Sequence, residues 1–233
     1  MLRHRPYRAA LRQGVGAAIE HEEVAFGHDF ASVIDVGAHH GQFALLASRC
    51  FPSAEVWCFE PLQEARTILE AVAGRDKLTI ISAAAGEEAG EQELHVSRAS
   101  DSSSLRPILE SLTTAFPGTE EDRTVRVSVV RLDDVFEQPP QRPLLLKIDS
   151  QGSELDILAG GKALLRSVDA IFVECSFVEF YAGQALIGQV IAYLQDRSFV
   201  LSGVYSVVRD RAGRCLQADL LFERADRDAR SDG

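Results

Sequence analysis

The stretch SVIDVGAHHG, residues 32–41, decides how the fold is interpreted. It begins as an apolar, β-branched run, which predicts a buried strand, and then breaks off at a glycine. Gly37 and Gly41 follow that strand and open a predicted helix at residues 42–51. Glycine at such a turn lets the backbone approach a ligand closely. The spacing G-x-x-x-G is a weak signal alone, because it lacks the third glycine of a dinucleotide-binding loop.

Outward from this stretch, short β-branched runs alternate with longer helical patterns. This order predicts βαβ units around a mostly parallel sheet, and hence an α/β fold. The last two runs, joined by the turn RDRAGR, predict a hairpin, and the alternating run TVRVSVV predicts a half-buried strand at an antiparallel edge. After the first strand, the predicted strands, these three included, lie at residues 54–61, 77–82, 91–96, 124–130, 143–149, 169–174, 199–208 and 216–222. The further predicted helices lie at 63–72, 155–165 and 186–195.

The chain divides into three predicted segments: an N-terminal arm and helix at residues 1–30, a single domain at 31–223 and a disordered tail at 224–233. The tail lacks an apolar residue large enough to anchor it. The arm carries four arginines without an apolar stretch behind them, so we expect a solvated arm rather than a secretory signal.

The composition excludes several classes of protein. Of 233 residues, 46% are hydrophobic and 25% are charged, which excludes collagen-like and wholly disordered chains. The 24 basic and 35 acidic residues give a net charge of −11. Binding phosphates requires a basic face, so we expect no nucleic-acid partner. No apolar run approaches the roughly 18 residues that a spanning helix needs, so no stable membrane insertion is expected.

The four cysteines lie far apart and form no C-x-x-C pair, so a zinc site built on them is not expected. Cys58 and Cys175 lie within strand-like runs, which predicts buried free thiols in a reducing compartment. We accordingly expect a cytoplasmic protein.

Two acids accompany the glycine turn. Asp35 stands two residues before Gly37, and Glu60 ends the next predicted strand, where an acid can grip a ribose diol. The pyrophosphate of a dinucleotide would be repelled by Asp35. S-adenosylmethionine (SAM) has no phosphate and carries an ammonium and a sulfonium group, which favour nearby carboxylates. The charge pattern therefore favours SAM as the cofactor.

A set of short motifs resembles one family in both content and order. VIDVGAHHGQF, CFEP, DSSSL, VRLDDVF, LLLKIDSQGSELDIL and LQADLLF, between residues 33 and 222, are similar to the motifs of FkbM-type SAM-dependent methyltransferases. The resemblance implies the class I methyltransferase fold, a Rossmann-like sandwich with a seven-stranded, mostly parallel sheet whose last strand is antiparallel. It also implies methyl transfer to a hydroxyl oxygen of a sugar, a glycolipid or a polyketide-type natural product.

Carried onto this chain, the resemblance implies a set of cofactor-binding residues: Asp35, Gly37, His39 and Gly41 in the SAM loop, Glu60 and Pro61 at the ribose, Ala84 at the adenine, and Ser102, Ser103 and Asp149 near the cofactor. Two positions depart from the family pattern. His39 stands where asparagine is usual, yet it can still hydrogen-bond the methionyl end. Gln151 stands where an acid is common, which argues against a general base at that position.

An acceptor alcohol has to lose a proton during methyl transfer, so a base within hydrogen-bond reach is expected. The candidate catalytic residues are Asp149, Glu174 and His39, because ligands bind at the carboxyl ends of the strands in open α/β sheets. Asp149 could take the proton, orient the SAM ammonium or coordinate a metal. A divalent cation on paired carboxylates is an alternative that we do not adopt, and we predict no metal ligand.

The charge pattern and the family resemblance together predict a SAM-dependent O-methyltransferase. The alternatives are an NAD(P)-linked oxidoreductase, which the missing glycine and the antiparallel last strand disfavour, and a SAM-binding protein without turnover. The expected partner is a hydroxylated small-molecule or glycan acceptor, with a homodimer as a further alternative.

Overall fold

A computed structural model of the chain describes residues 5–73 and 78–225. The α-helices are α1 (Arg5–Arg12), α2 (Gln42–Cys50), α3 (Gln63–Ala73), α4 (Glu110–Ala115), α5 (Leu132–Val135), α6 (Glu154–Gly160) and α7 (Ile187–Gln195). The strands are β1 (Ser32–Val36), β2 (Glu55–Phe59), β3 (Leu78–Ile81), β4 (Ala84–Ala85), β5 (Gly90–Ser97), β6 (Glu121–Val130), β7 (Leu144–Ile148), β8 (Ala170–Ser176), β9 (Phe199–Arg209) and β10 (Cys215–Arg224). Short 3₁₀ turns cover Ile19–Glu23, Ser100–Ser102 and Leu164–Arg166.

The main sheet has seven strands in the order β3-β2-β1-β7-β8-β10-β9. The first five pair in parallel, and β10 runs antiparallel to both of its neighbours. Every residue of β1 and β7 is buried, because these central strands are covered on both faces. The predicted α/β fold, with a mostly parallel seven-stranded sheet and an antiparallel last strand, is confirmed.

A second sheet of three strands, in the order β4-β6-β5, was not predicted. Strand β6 pairs in parallel with β4 and antiparallel with β5, so it is a central strand and the predicted edge position is wrong. The alternation of valines in β6 indicates one buried face, but it carries no information about the number of neighbouring strands. Leu94 and Val127 of this sheet pack on Leu62, which places the sheet beside the end of β2.

Helices cover both faces of the main sheet. One face packs on α6 and α7 through residues such as Ile157 and Val190, and the other packs on α2 through Phe43 and Leu46. The predicted helix at 155–165 divides into α6 and the 3₁₀ turn Leu164–Arg166.

The N-terminal helix α1 is packed rather than solvated. Tyr7 and Ala10 are buried in a cluster with Leu45 and Val72. Because positions i and i+3 of a helix share a face, the two residues dock together, and the expectation of a solvated arm is wrong here. At the other terminus, Arg224 belongs to β10, and residues 226–233 of the predicted tail lie outside the described residues.

The register gathers polar side chains on one face near the carboxyl end of the parallel strands. Asp35 of β1 lies opposite Lys147 of β7, which in turn lies opposite Phe172 of β8. Glu174, two residues beyond Phe172, therefore shares its face and lies opposite Asp219 of β10. Lys147 links this group of side chains to Asp149 at the end of β7, where the candidate site begins.

Candidate active site

A cleft opens at the carboxyl ends of β1, β2 and β7. Of the residues predicted to bind cofactor, those that line the cleft are Gly37, His39, Glu60, Pro61, Ala84, Ser103 and Asp149. The predicted residues that do not line it are Asp35, Gly41, Ser102 and Glu174. The carboxyl-end position expected for a ligand of an open α/β sheet thus coincides with the motif residues.

Gly37 brings two loops into direct contact. Its φ is +82°, and a Cβ at this position would lie 1.8 Å from the carbonyl oxygen of Asp149. Only glycine allows the turn after β1 to lie against the turn after β7 in this conformation. Gly41 acts behind the cleft, since a Cβ there would lie 2.6 Å from Leu69 on α3.

Glu60 presents a buried carboxyl group to the cleft. It is 4% exposed, and its two oxygens accept hydrogen bonds from the backbone N–H of His39 at 2.9 Å and of Leu62 at 2.7 Å. Burial raises the pKa of Glu60 to about 7, although these two N–H groups lower it. The carboxyl group therefore ties the glycine turn to the end of β2 and keeps lone pairs for a ligand.

Both ring nitrogens of His39 are hydrogen-bonded. Gln42 Nε2 donates to its Nδ1 at 3.3 Å, so Nε2 carries the proton and donates to the Ser100 hydroxyl at 2.8 Å. Burial, followed by the neighbouring His40, lowers the pKa of His39 to about 4. Both ring nitrogens are occupied, so the geometry does not support the catalytic role predicted for His39.

Asp35 is fully buried and makes an ion pair instead of lining the cleft. Lys147 Nζ lies 3.2 Å from its Oδ1 and 3.7 Å from Asp149 Oδ2. Burial lowers the pKa of Lys147, but the carboxylates of Asp35 and Asp149 outweigh burial and raise it. Lys147 therefore pairs with carboxylates, and Asp35 lies behind the glycine turn.

Gln151 joins two of the predicted catalytic acids. Its Nε2 donates to Asp149 Oδ1 at 2.8 Å and to Glu174 Oε2 at 3.1 Å, and Tyr181 donates to its Oε1 at 2.7 Å. Glu174 Oε2 also accepts from Gln217 at 3.0 Å. Burial, then repulsion from Asp149, raises the pKa of Glu174 well above its usual value. Glu174 lies behind Gln151, so the geometry does not support direct contact with an acceptor.

The serine loop forms one wall of the cleft. Ser103 Oγ donates to the carbonyl of Ser100 at 2.8 Å and accepts from the backbone N–H of Ser97 at 3.1 Å. Ser104 Oγ donates to the carbonyl of Gln151 at 2.6 Å, which links this loop to the turn after β7. Ser100, Ser103 and Ser104 line the cleft, whereas Ser102 does not.

A second cavity, which was not predicted from the sequence, lies under the N-terminal segment. It shares Gly37, His39, Asp101 and Asp149 with the cleft, so the two spaces adjoin. Its wall includes His21, whose Nε2 lies 3.0 Å from Asp219 Oδ2 on β10. His21 lies outside every motif, and the separation of the two residues in sequence left no local signal to find them.

The charge of the cleft is one-sided. Among the described residues that line it, Glu60, Asp101 and Asp149 carry carboxyl groups, and none is lysine or arginine.

Across residues 5–73 and 78–225, no group of three or more His, Cys, Asp or Glu side chains could hold a metal ion, and no helix is long and apolar enough to cross a membrane. Cys58 and Cys175 are buried free thiols, as predicted.

Comparison with protein families gives one match that covers most of the chain. Residues 35–201 match the family described as the methyltransferase FkbM domain. The chain is 27% identical over 177 residues to the 2-O-methyltransferase NoeI of Sinorhizobium fredii (strain NBRC 101917 / NGR234), covering 72% of each protein. It is also 27% identical over 194 residues to the 31-O-demethyl-FK506 methyltransferase FkbM of Streptomyces tacrolimicus, again covering 72% of each.

Among solved structures, the crystal structure of methyltransferase FkbM from Methylobacillus flagellatus KT is similar, with a TM-score of 0.54 and 17% identity. The alignment covers 87% of this chain and 46% of that one, so this chain spans less than half of the solved protein. At this identity the likeness concerns the fold alone.

Proposed function

The chain belongs to the FkbM methyltransferase family, and we propose that it transfers a methyl group from SAM to a hydroxyl oxygen of a sugar, glycolipid or natural-product acceptor. The observation that carries this proposal is the charge of the cleft. Carboxyl groups line it, and no lysine or arginine does so among the described residues. A phosphate-free cofactor with a cationic end suits such a surface, whereas the pyrophosphate of a dinucleotide would find no counter-charge. The NAD(P) alternative is therefore not adopted.

The residues present fit SAM in three places. Glu60 has two carboxyl oxygens for the vicinal hydroxyls of the ribose. Ala84 and Leu94 offer an apolar wall for the adenine. Asp149, at the junction of the cleft and the second cavity, offers a carboxylate for the ammonium group.

When bound, SAM supplies an electrophilic methyl group on a sulfonium, so the protein need not activate the carbon. The residues of the chain align the acceptor, exclude water and hold the acceptor's proton. The close contact of Gly37 with the turn after β7 and the buried Asp35–Lys147 pair keep the two loops in place for this task.

The names of both curated relatives state methyl transfer at oxygen, which supports a hydroxyl acceptor for this chain. We further propose that the protein acts in the cytoplasm, in line with its free thiols, and that nucleic acid is not its substrate. A homodimer is part of the same proposal.

Titration calorimetry with SAM and with NADH tests the cofactor, and transfer of a labelled methyl group to hydroxylated sugars, glycolipids and macrolides tests the reaction. We expect SAM to bind in the micromolar range and label to appear in an acceptor. NADH binding at comparable strength would overturn the cofactor assignment. SAM binding without transfer to any acceptor would favour the alternative of a binding protein without turnover.

A further inference from the structure

We propose that His21, held by Asp219, is the base that takes the proton from the acceptor hydroxyl. This inference rests on the proposed function and assigns the acceptor side of the same site. In this proposal the acceptor binds in the second cavity and the cofactor binds in the first cleft.

The position of the second cavity is the first argument. Its shared residues Gly37 and Asp149 mark its junction with the cleft. The sulfonium of SAM is attached to the ribose, for which Glu60 is the proposed partner, so the methyl group belongs near this junction. An acceptor that approaches from the second cavity meets His21 in the wall of that cavity.

The hydrogen bonding of His21 is the second argument. Asp219 accepts from Nε2 at 3.0 Å, which assigns the proton to Nε2 and leaves Nδ1 with a lone pair. Nδ1 is buried and has no hydrogen-bond partner within the described part of the chain. The ring packs edge-on against Phe172, with centroids 4.9 Å apart, so its orientation is set. A buried acceptor without a partner is costly unless a ligand supplies one.

The three catalytic residues predicted from the sequence have hydrogen-bond partners of their own. Both nitrogens of His39 are hydrogen-bonded, and Glu174 lies behind Gln151. Asp149 accepts from Gln151 and lies near Lys147. Among the residues that the structure describes around the second cavity, His21 is the side chain with a free basic nitrogen and a carboxylate partner.

The step balances without a further reactant. The O–H bond of the acceptor breaks and its proton passes to Nδ1 of His21, while the oxygen's electron pair forms the bond to the methyl carbon. The methyl–sulfur pair stays on sulfur, which becomes a neutral thioether. The imidazolium is stabilised by the carboxylate of Asp219 and releases its proton to water afterwards.

Asp219 is a positioning residue, because it acts through His21. It is 8% exposed on β10, opposite Glu174 on β8 and Tyr205 on β9. Its carboxylate selects the tautomer in which Nδ1 is the acceptor. An asparagine at this position can donate to the ring and invert that choice.

The experiment uses His21→Ala, Asp219→Asn and, as a matched control on the same segment, the exposed His28→Ala. Each variant is measured for methyl transfer, for SAM affinity by calorimetry and, in the wild type and Asp219→Asn, for the His21 tautomer by ¹⁵N NMR. We expect His21→Ala to lower kcat about 10²- to 10⁴-fold with the Kd for SAM within about twofold. We expect imidazole to restore part of the rate, and His28→Ala to match the wild type.

The tautomer supplies a readout that does not depend on turnover. We expect the Nε2–H form in the wild type and a mixture or the Nδ1–H form in Asp219→Asn. If His21→Ala does not fold, His21→Gln takes its place, since an amide preserves much of the volume but cannot accept the proton.

Three results would overturn the assignment. A His21→Ala variant with a near-wild-type rate would exclude His21 as the base. A large loss of SAM affinity in the same variant would show that the methionyl end of the cofactor binds in the second cavity. A wild-type ring protonated at Nδ1 would remove the lone pair on which the step depends. Absence of SAM binding and methyl transfer in the wild type is a different failure, because it would overturn the proposed function itself.

Discussion

Replacing Glu60 by glutamine should weaken SAM binding and remove its dependence on pH. The glutamine keeps one acceptor oxygen. Its NH₂ group, however, cannot accept a hydrogen bond from a backbone N–H or from a ribose hydroxyl. In the native chain the two oxygens accept from His39 and Leu62 at 2.9 and 2.7 Å. Losing a charged hydrogen bond costs about 1.5–3 kcal/mol, which corresponds to a roughly 10- to 150-fold rise in Kd.

The pH dependence follows from the burial of the same carboxyl group. Burial raises the pKa of Glu60 to about 7 in the ligand-free protein, and the ribose hydroxyls favour the ionised form. Binding must therefore expel a proton wherever the group is protonated, so affinity is lost as the pH falls through about 7. With this pKa, the Kd at pH 6 should be roughly tenfold larger than at pH 8.

Calorimetry at pH 6 and pH 8 measures both effects, with circular dichroism as the check on folding. Glu55→Gln, an identical change at an exposed position at the start of β2, is the matched control and should behave as the wild type. Because SAM has its own titrating groups, the decisive quantity is how much more the Kd changes between pH 6 and pH 8 in the wild type than in Glu60→Gln. An equal change of Kd with pH in both proteins would show that Glu60 does not bind the ribose.

Three further substitutions probe the surroundings of the cleft, and Arg126→Met serves as the control for one of them. Asp149→Asn keeps the shape but removes the charge at the junction of the two cavities, so methyl transfer should slow by on the order of 10²-fold, and a rate near the wild type would make Asp149 structural. Lys147→Met leaves Asp35 buried without its cation and should lower the free energy of unfolding by about 3–5 kcal/mol. Arg126→Met, which breaks an exposed pair, should cost less than about 1 kcal/mol in the same denaturation assay, and equal losses would contradict the argument. Gly37→Ala places a Cβ 1.8 Å from the carbonyl of Asp149, so SAM binding should be lost in calorimetry and retained binding would refute the close contact.

The local pattern around residues 32–41 determined the fold class and the location of the cleft. A buried strand that ends in glycine is encoded by adjacent residues, and parallel strands bring their carboxyl ends to one edge of the sheet. Gly37, Glu60 and Asp149 could therefore be predicted to lie together without knowledge of the packing, and all three line the cleft. The pairing of the last two strands was predictable for a similar reason, because a short turn joins them.

The tertiary structure decided which of the polar groups face ligand and which face each other. Asp35 and Lys147 meet through strand register, and His21 and Asp219 meet through the docking of the N-terminal segment on β10. Neither contact follows from periodicity, which specifies a face of a strand or helix but not the element that covers it. For the same reason, the alternating pattern of β6 could not show that this strand has a neighbour on each side. A side chain's chemistry depends on what lies within a few ångströms of it, and for residues far apart in sequence only the folded packing sets that distance.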